Sequence, residues 1–259
     1  MTDHDKLNDA AAPVTAPILA IETSTTVARV AVLDPNSGRR LAAAEAASER
    51  HSSNLLRLCV ETTDRARVSI AGLGAIACGA GPGSFTGLRV GFAVAKGLAM
   101  PTEIPLVLVS SLEALAMDMQ DGLRFSEERR SERAKAWLLP CLDAGKGQVF
   151  AALFQANNEG TVTLASEEWS LVPELLWGQL PPDELAVICA GPGATRYWGV
   201  LREGLGARGS LLDVAGPTAD SVGRRALVKW RRGETADLGT AAPSYGRPPD
   251  ITKPKPHPR

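Results

Sequence analysis

Apolar and polar positions along this chain predict the same order of elements twice over. Behind a polar, Pro- and Ala-rich lead (residues 1–16), apolar runs at 18–21 and 27–33 predict two strands joined by Glu22-Thr23-Ser24-Thr25-Thr26. A weaker strand covers about 39–46, and residues 48–65 carry Leu55, Leu58, Cys59 and Thr62 on one helical face. A strand at 75–78, a glycine-rich turn, a helix from about 84 to 100 stopping at Pro101, a strand at 106–109 and a helix at 111–119 complete βββαβαβα.

The second half repeats that order. Strands at 137–142 and 148–154 flank Asp143-Ala144-Gly145-Lys146-Gly147, a third strand falls at 161–165 and a short helix at 172–180. A strand at 185–190, a second glycine turn, a helix at about 195–204, a strand at 211–214 and a helix at 218–232 follow. The fold class read from this pattern is α/β, with two lobes at 17–119 and 136–240. Between them, 120–135 is a charged insert with the pattern of a solvated loop or helix extension. The tail, 241–259, holds Pro243, Pro248, Pro249, Pro254, Pro256 and Pro258, which cannot continue a helix or central strand and predict extended chain.

Ala-Gly-Pro-Gly stands at residues 80–83 and again at 190–193, each time after an apolar run and before a helix. A glycine turn at a helix N-terminus can offer backbone N–H groups to an anion. Two copies in equivalent settings indicate a duplicated unit with its loops facing one cleft, or the chance recurrence of common turn punctuation. Ser84 or Thr86 can cap the helix after the first turn, and Arg89 lies one turn further on.

Composition narrows the class. Of 259 residues, 44 % are hydrophobic and 22 % charged, the balance of a globular protein, and a net charge of −1 gives no bulk reason to bind nucleic acid or membrane. The lead carries Asp3, Asp5 and Asp9 and does not read as a signal peptide, and no run of about 18 apolar residues exists. Cys59, Cys78, Cys141 and Cys189 lie far apart, three of them in or beside strands, which predicts buried, reduced thiols and a cytoplasmic protein.

Two βββαβαβα lobes, each opening on a polar hairpin turn, define the actin-like architecture (ASKHA, RNase H-like) of sugar kinases and Hsp70-type proteins. There the first hairpin turn of each lobe approaches a nucleotide phosphate, and a glycine loop of the second lobe lies near adenosine. By that analogy Glu22, Thr23, Asp143, Gly191 and Gly193 are candidate cofactor contacts. Turn chemistry alone also accounts for the acids and threonines.

The segments Ile18-Leu19-Ala20-Ile21-Glu22-Thr23-Ser24, Arg50-His51-Ser52-Ser53-Asn54-Leu55-Leu56, the stretch 79–97, and Leu142-Asp143-Ala144-Gly145-Lys146-Gly147-Gln148-Val149-Phe150 resemble the TsaB family of tRNA threonylcarbamoyladenosine biosynthesis proteins. The similarity is dense from about 17 to 115 and continues more weakly to Pro243-Ser244-Tyr245-Gly246-Arg247. The resemblance implies a non-catalytic partner of TsaD that, with the ATPase TsaE, supports modification of adenosine 37 in tRNAs reading ANN codons. It implies contact with tRNA only through that complex, no membrane association, no cofactor on its own, and ATP or ADP in the complex. Glu22 departs from the Asp of many relatives and Gly145 from a common Arg, which puts in question a phosphate contact by the 143–147 turn.

Catalytic relatives hold a metal through two histidines one turn apart on the helix that His51 begins. Here Leu55 occupies the second position, and the other histidines are His4 and His257, so no metal ligands and no catalytic residues are assigned. No histidine or other base accompanies Ser84 to make a nucleophilic pair, and neither glycine turn continues into the Lys-Ser or Lys-Thr of a Walker loop. On the helix from 84, Gly87, Gly91, Ala95 and Ala99 form a small-residue stripe, which either packs on the lobe's own sheet or meets a partner helix. TsaB-like proteins pair through this helix and the one before it, with TsaD or with a second copy. The expected partner surface is therefore His51, Leu55, Leu58, Ser84, Phe85, Gly87, Arg89, Gly91 and Ala95. Two other classes stand beside this reading: a small-molecule kinase of the same superfamily, and a peptidase.

Overall fold

The computed structural model describes residues 15–47, 51–125, 136–157 and 161–246, with residues 51–53 and 125 by their backbone alone. Most of the predicted insert, most of the lead and the tail beyond 246 lie outside the described residues.

The first sheet runs β3(Arg40–Ala47), β2(Val27–Leu33), β1(Ile18–Glu22), β4(Ala75–Gly79), β5(Leu106–Val109) in spatial order. β1 pairs antiparallel with β2, from Ile18↔Leu33 to Glu22↔Arg29, and parallel with β4. Alternate residues of β1 enter opposite faces. Leu19 and Ile21 join the cluster under α1(His51–Arg65) and α2(Phe85–Thr102), while Ile18 and Ala20 join a second cluster on the other side. Cover on both faces is why β1 reads as one unbroken apolar run.

The second sheet has the order β10(Trp169–Leu171), β7(Gln148–Ala151), β6(Ala136–Gly145), β11(Ala186–Ala190), β12(Gly209–Leu211). β8(Phe154–Ala156) pairs with β6 and with β9(Val162–Leu164). The strand expected at 161–165 is thus β9, in a side hairpin. The edge beside β7 belongs instead to β10, three residues too short to leave a period-two signature. The helix expected at 172–180 is two 3-10 turns, 173–175 and 177–179, with Pro173 at the start of the first and Gly178 inside the second. The helix expected at 195–204 is α4(Pro192–Arg196) followed by α5(Trp198–Leu205), broken where Tyr197 leaves helical geometry at φ −108° and ψ 20°. Pro101 lies within the last turn of α2, where the Thr102 hydroxyl donates to Leu98 O at 2.7 Å.

The last helices of the two halves are exchanged. α3(Ser111–Phe125) runs six residues past 119, and its Leu112, Leu115, Met119 and Leu123 pack with Leu138, Leu142 and Ile188 of the second sheet. α6(Ala219–Arg231), capped by Thr218, places Val222, Ala226 and Leu227 against Ile18, Ala20 and Leu33 of the first. The two helices also touch each other, through Arg225–Glu113 at 2.7 Å and Arg224–Asp121 at 2.5 Å. All four cysteines are buried as free thiols, and burial pushes Cys59 and Cys189 up to about 12.

Candidate functional site: a cleft between the lobes

The first glycine turn is locked into its own lobe. The Ala80 N–H donates to Val109 O, Ser111 N–H to Gly81 O, and Ser84 N–H to Ser24 O. Ser84 caps α2, its Oγ accepting from the Gly87 N–H at 3.2 Å. A Cβ at Gly87 or Gly91 would collide with Thr23. With Ala95 and Ala99 fully buried, the small-residue stripe therefore faces the lobe's own β1–β2 turn and sheet. The expectation that Gly87, Gly91 and Ala95 form a partner surface is corrected accordingly: two residues without a Cβ and one buried methyl let α2 approach its own lobe. Leu55 is buried too, and Leu58 half-buried. The outward side of this helix pair is carried instead by Leu56 (49 % exposed) and Val60 (40 %) on α1, and by Thr86, Arg89, Ala93, Gly97 and Met100 (63 %) on α2. His51 is described by its backbone only.

Glu22 ends β1 rather than standing in the turn, and its carboxyl has no contact with solvent. It accepts from the Ser24 N–H at 2.5 Å and from Ser111 Oγ at 2.9 Å, and Gly79 provides the space it fills. Burial raises its pKa, against the opposing hydrogen bonds from Ser24 and Ser111 and the charge of Arg29. Thr23 is buried as well, its hydroxyl without a partner. At the second glycine turn, a Cβ on Gly191 would lie 2.6 Å from Cys141 O and one on Gly193 2.8 Å from Leu142 O. These glycines let α4 sit on the backbone of β6. Glu22, Thr23, Gly191 and Gly193 do not line the cleft between the lobes, whereas Asp143 does.

That cleft has a volume of about 1130 Å³. Its first-lobe wall is the β1–β2 turn with Arg29, Ser84, Phe85 and Arg89, and its second-lobe wall is Leu142 to Gly145 with Phe150 and Pro192. Of the expected site residues it gathers Ser84, Phe85, Arg89 and Asp143. The Asp143 carboxylate is already engaged, accepting from Arg196 Nη1 at 2.6 Å and from the Gly145 N–H at 2.9 Å. Arg29 reaches Glu45 at 3.4 Å, while Arg89 lies over the Phe85 ring at 5.3 Å and has no ion-pair partner among the described residues.

The C-terminal segment completes the cleft. Lys96 Nζ donates to Ala241 O and the Ser244 N–H to Ala80 O. Tyr245 then packs against Phe85 with ring centroids 4.7 Å apart and planes tilted by 38°, and Gly246 lies against Phe150 and Pro82. Residues 241–246 thereby tie the first glycine turn to the second lobe. Sequence reasoning noted the motif around Tyr245 without placing it. It overlooked Arg29, whose signal was a lone charge within the apolar run 27–33. Among the described residues no group of three His, Cys, Asp or Glu side chains could hold a metal ion, and no helix is long and apolar enough to cross a membrane.

The family model described as TsaD, tRNA N6-adenosine threonylcarbamoyltransferase, matches residues 43–190. The tRNA threonylcarbamoyladenosine biosynthesis protein TsaB of Escherichia coli (strain K12) is 29 % identical over 231 residues, 89 % of this chain and 94 % of that protein. A crystal structure of an uncharacterized Pseudomonas aeruginosa protein, described as similar to the peptidase YeaZ, is 30 % identical, with TM-score 0.72 over 90 % of this chain and 100 % of that one. YeaZ from Pseudomonas aeruginosa gives TM-score 0.71 at 29 % identity, over 89 % and 99 %. The two-lobed actin-like fold and these matches agree: the chain belongs to the TsaD family, in its TsaB branch.

Proposed function

We propose that this protein is a non-catalytic subunit of tRNA threonylcarbamoyladenosine biosynthesis that binds and supports a TsaD-like catalytic subunit in the cytoplasm. The observation that carries the reading is Leu55. It stands where the resemblance would require a second metal-binding histidine, and its side chain is packed into the core rather than presented to a site. The cleft adds that Asp143, the acid a kinase reading would employ, is engaged by Arg196 and the Gly145 N–H. The partner surface in this reading is the outward side of α1 and α2, with Leu56, Val60 and Met100 as its apolar points, and a second copy of the chain competes for the same face. A TsaE-like ATPase joins the assembly, and ATP or ADP belongs to the complex rather than to this chain alone.

The test is reconstitution. The purified chain alone hydrolyses no ATP and transfers no threonylcarbamoyl group. Added to a TsaD-like protein, it co-purifies and raises threonylcarbamoyladenosine in an ANN-reading tRNA, read by nucleoside mass spectrometry. ATP turnover by the chain alone that disappears in Asp143→Ala would overturn the proposal in favour of the kinase.

A further inference from the structure

We infer that residues 241–246 are a strap that couples docking of the catalytic subunit on α2 to closure of the cleft between the lobes. The inference rests on the proposed pairing with a TsaD-like subunit and deepens it, because it extends the docking surface beyond the two helices.

The base of the strap is fixed. The Ala236 N–H donates to Leu106 O at 2.8 Å on the edge of the first sheet, and the Thr240 N–H donates to Asp237 Oδ1 at 2.8 Å. Ala236, Leu238 and Ala241 pack against the core under α1 and α2. Beyond Ala241 the hold is light. Lys96 Nζ donates to Ala241 O at 3.2 Å, the Ser244 N–H donates to Ala80 O at 2.7 Å, and Tyr245 lies against Phe85. None of residues 241–246 is buried. A segment with so few buried contacts opens locally, at a fraction of the free energy of global unfolding.

The strap follows the side of α2 that borders the outward face. At 3.6 residues per turn, Phe85, Lys96, Arg89 and Met100 follow one another within about 60° of the helix circumference. Phe85 and Lys96 carry the strap, while Arg89 and Met100 belong to the face proposed for the partner. Ala242 and Ser244 are exposed along it, and a docked subunit that covers them favours the seated strap. The end of the strap meets the other lobe. Gly246 has φ +64°, and a Cβ there would lie 2.8 Å from both Phe150 Cε1 and Pro82 Cβ. Tyr245 and Phe150 both line the cleft. One short segment therefore borders the partner face and closes the cleft wall. A partner that binds the seated strap more tightly than the released one shifts the chain toward closure, and closure raises the partner's affinity by the same factor.

The experiment uses the full chain, with and without a TsaD-like protein, and reads hydrogen–deuterium exchange beside calorimetric affinity. Docking should slow exchange over 241–246 about tenfold or more. Gly246→Val, at the second-lobe end of the strap, should speed that exchange in the free chain. It should also weaken pairing about three- to tenfold, because affinity falls with the fraction of molecules whose strap is seated. Ser244→Pro removes the N–H given to Ala80 O and should do the same; it stands alone if a thermal melt shows Gly246→Val misfolded. Val60→Asp should weaken pairing yet leave exchange in the free chain unchanged, which separates docking from seating. Exchange over 241–246 that ignores the partner would overturn the inference, as would full affinity in a variant whose strap exchanges freely. So would unchanged exchange in both variants, since neither contact would then seat the strap. Failure of the proposed function itself looks different: the parent chain shows no association with the catalytic subunit, and the coupling falls with it.

Discussion

Asp118 sits where α3 passes α6, accepting from the Thr218 N–H at 2.8 Å, Thr218 Oγ1 at 2.7 Å and Ser221 Oγ at 2.6 Å. Those bonds favour the carboxylate, yet removal from water outweighs them and lifts the group to about 6. The folded state therefore holds this proton more tightly than the unfolded chain does. Its contribution is complete below the ordinary carboxylate range and is lost as pH rises through about 6. Replacing it with Asn removes that pH dependence. The stability advantage of the parent over Asp118→Asn should shrink by about 1–3 kcal/mol between pH 4 and 6.5, measured by denaturant unfolding across that range. A difference that stays flat or grows with pH would refute the assignment. Nothing around Asp118 or Glu22 in the sequence announces burial, because each needs a partner from a distant element: Thr218 and Ser221 for Asp118, and Ser111, beside the local Ser24 N–H, for Glu22. Residue identity was legible, but its environment was not.

At the scale of elements, the period of the apolar pattern placed α1, α2, β2 and β5 well, because each is long or flanked by clear turn residues. It could not say which side of α2 faces inward. Gly87, Gly91, Ala95 and Ala99 repeat every four residues whether they meet a partner helix or Thr23, and only the chain path of the β1–β2 turn decides between them. Gly91→Leu should therefore cost stability, about 1–3 kcal/mol from overpacking, with any effect on association secondary to the lost fold. Val60→Asp or Met100→Asp, on the outward side, should leave the melting temperature nearly unchanged and weaken pairing with the TsaD-like subunit about tenfold or more. Calorimetric titration beside a thermal melt separates the two; the reverse pattern would return the glycine stripe to the interface. The second half was less readable for a physical reason. β8, β9 and β10 have three residues each, and Pro173 and Gly178 leave the 172–180 segment in 3-10 turns.

The whole molecule is tied together by the exchange of helices, which an element order alone does not reveal. Cutting the chain between the lobes would leave the first sheet without α6 and the second without α3. Ile18, Ala20, Leu33 and Val107 would then lose Val222, Ala226 and Leu227 as cover, while Leu138 and Ile188 would lose Leu112, Leu115 and Met119. Each fully buried aliphatic side chain that returns to water costs about 1.5–3 kcal/mol, so four or five of them, at about 6–15 kcal/mol together, match the roughly 5–15 kcal/mol by which a typical domain is stable. Neither half, 15–125 or 136–246, should fold alone, and mixing them should restore a folded complex. The intact chain should melt in one transition, since neither sheet can keep its core after the other opens. Differential scanning calorimetry of the intact chain and circular dichroism of the separate and mixed halves would check this. Two resolved calorimetric transitions, or a cooperative melt from either half by itself, would show that the exchanged helices are ornaments on two self-sufficient lobes.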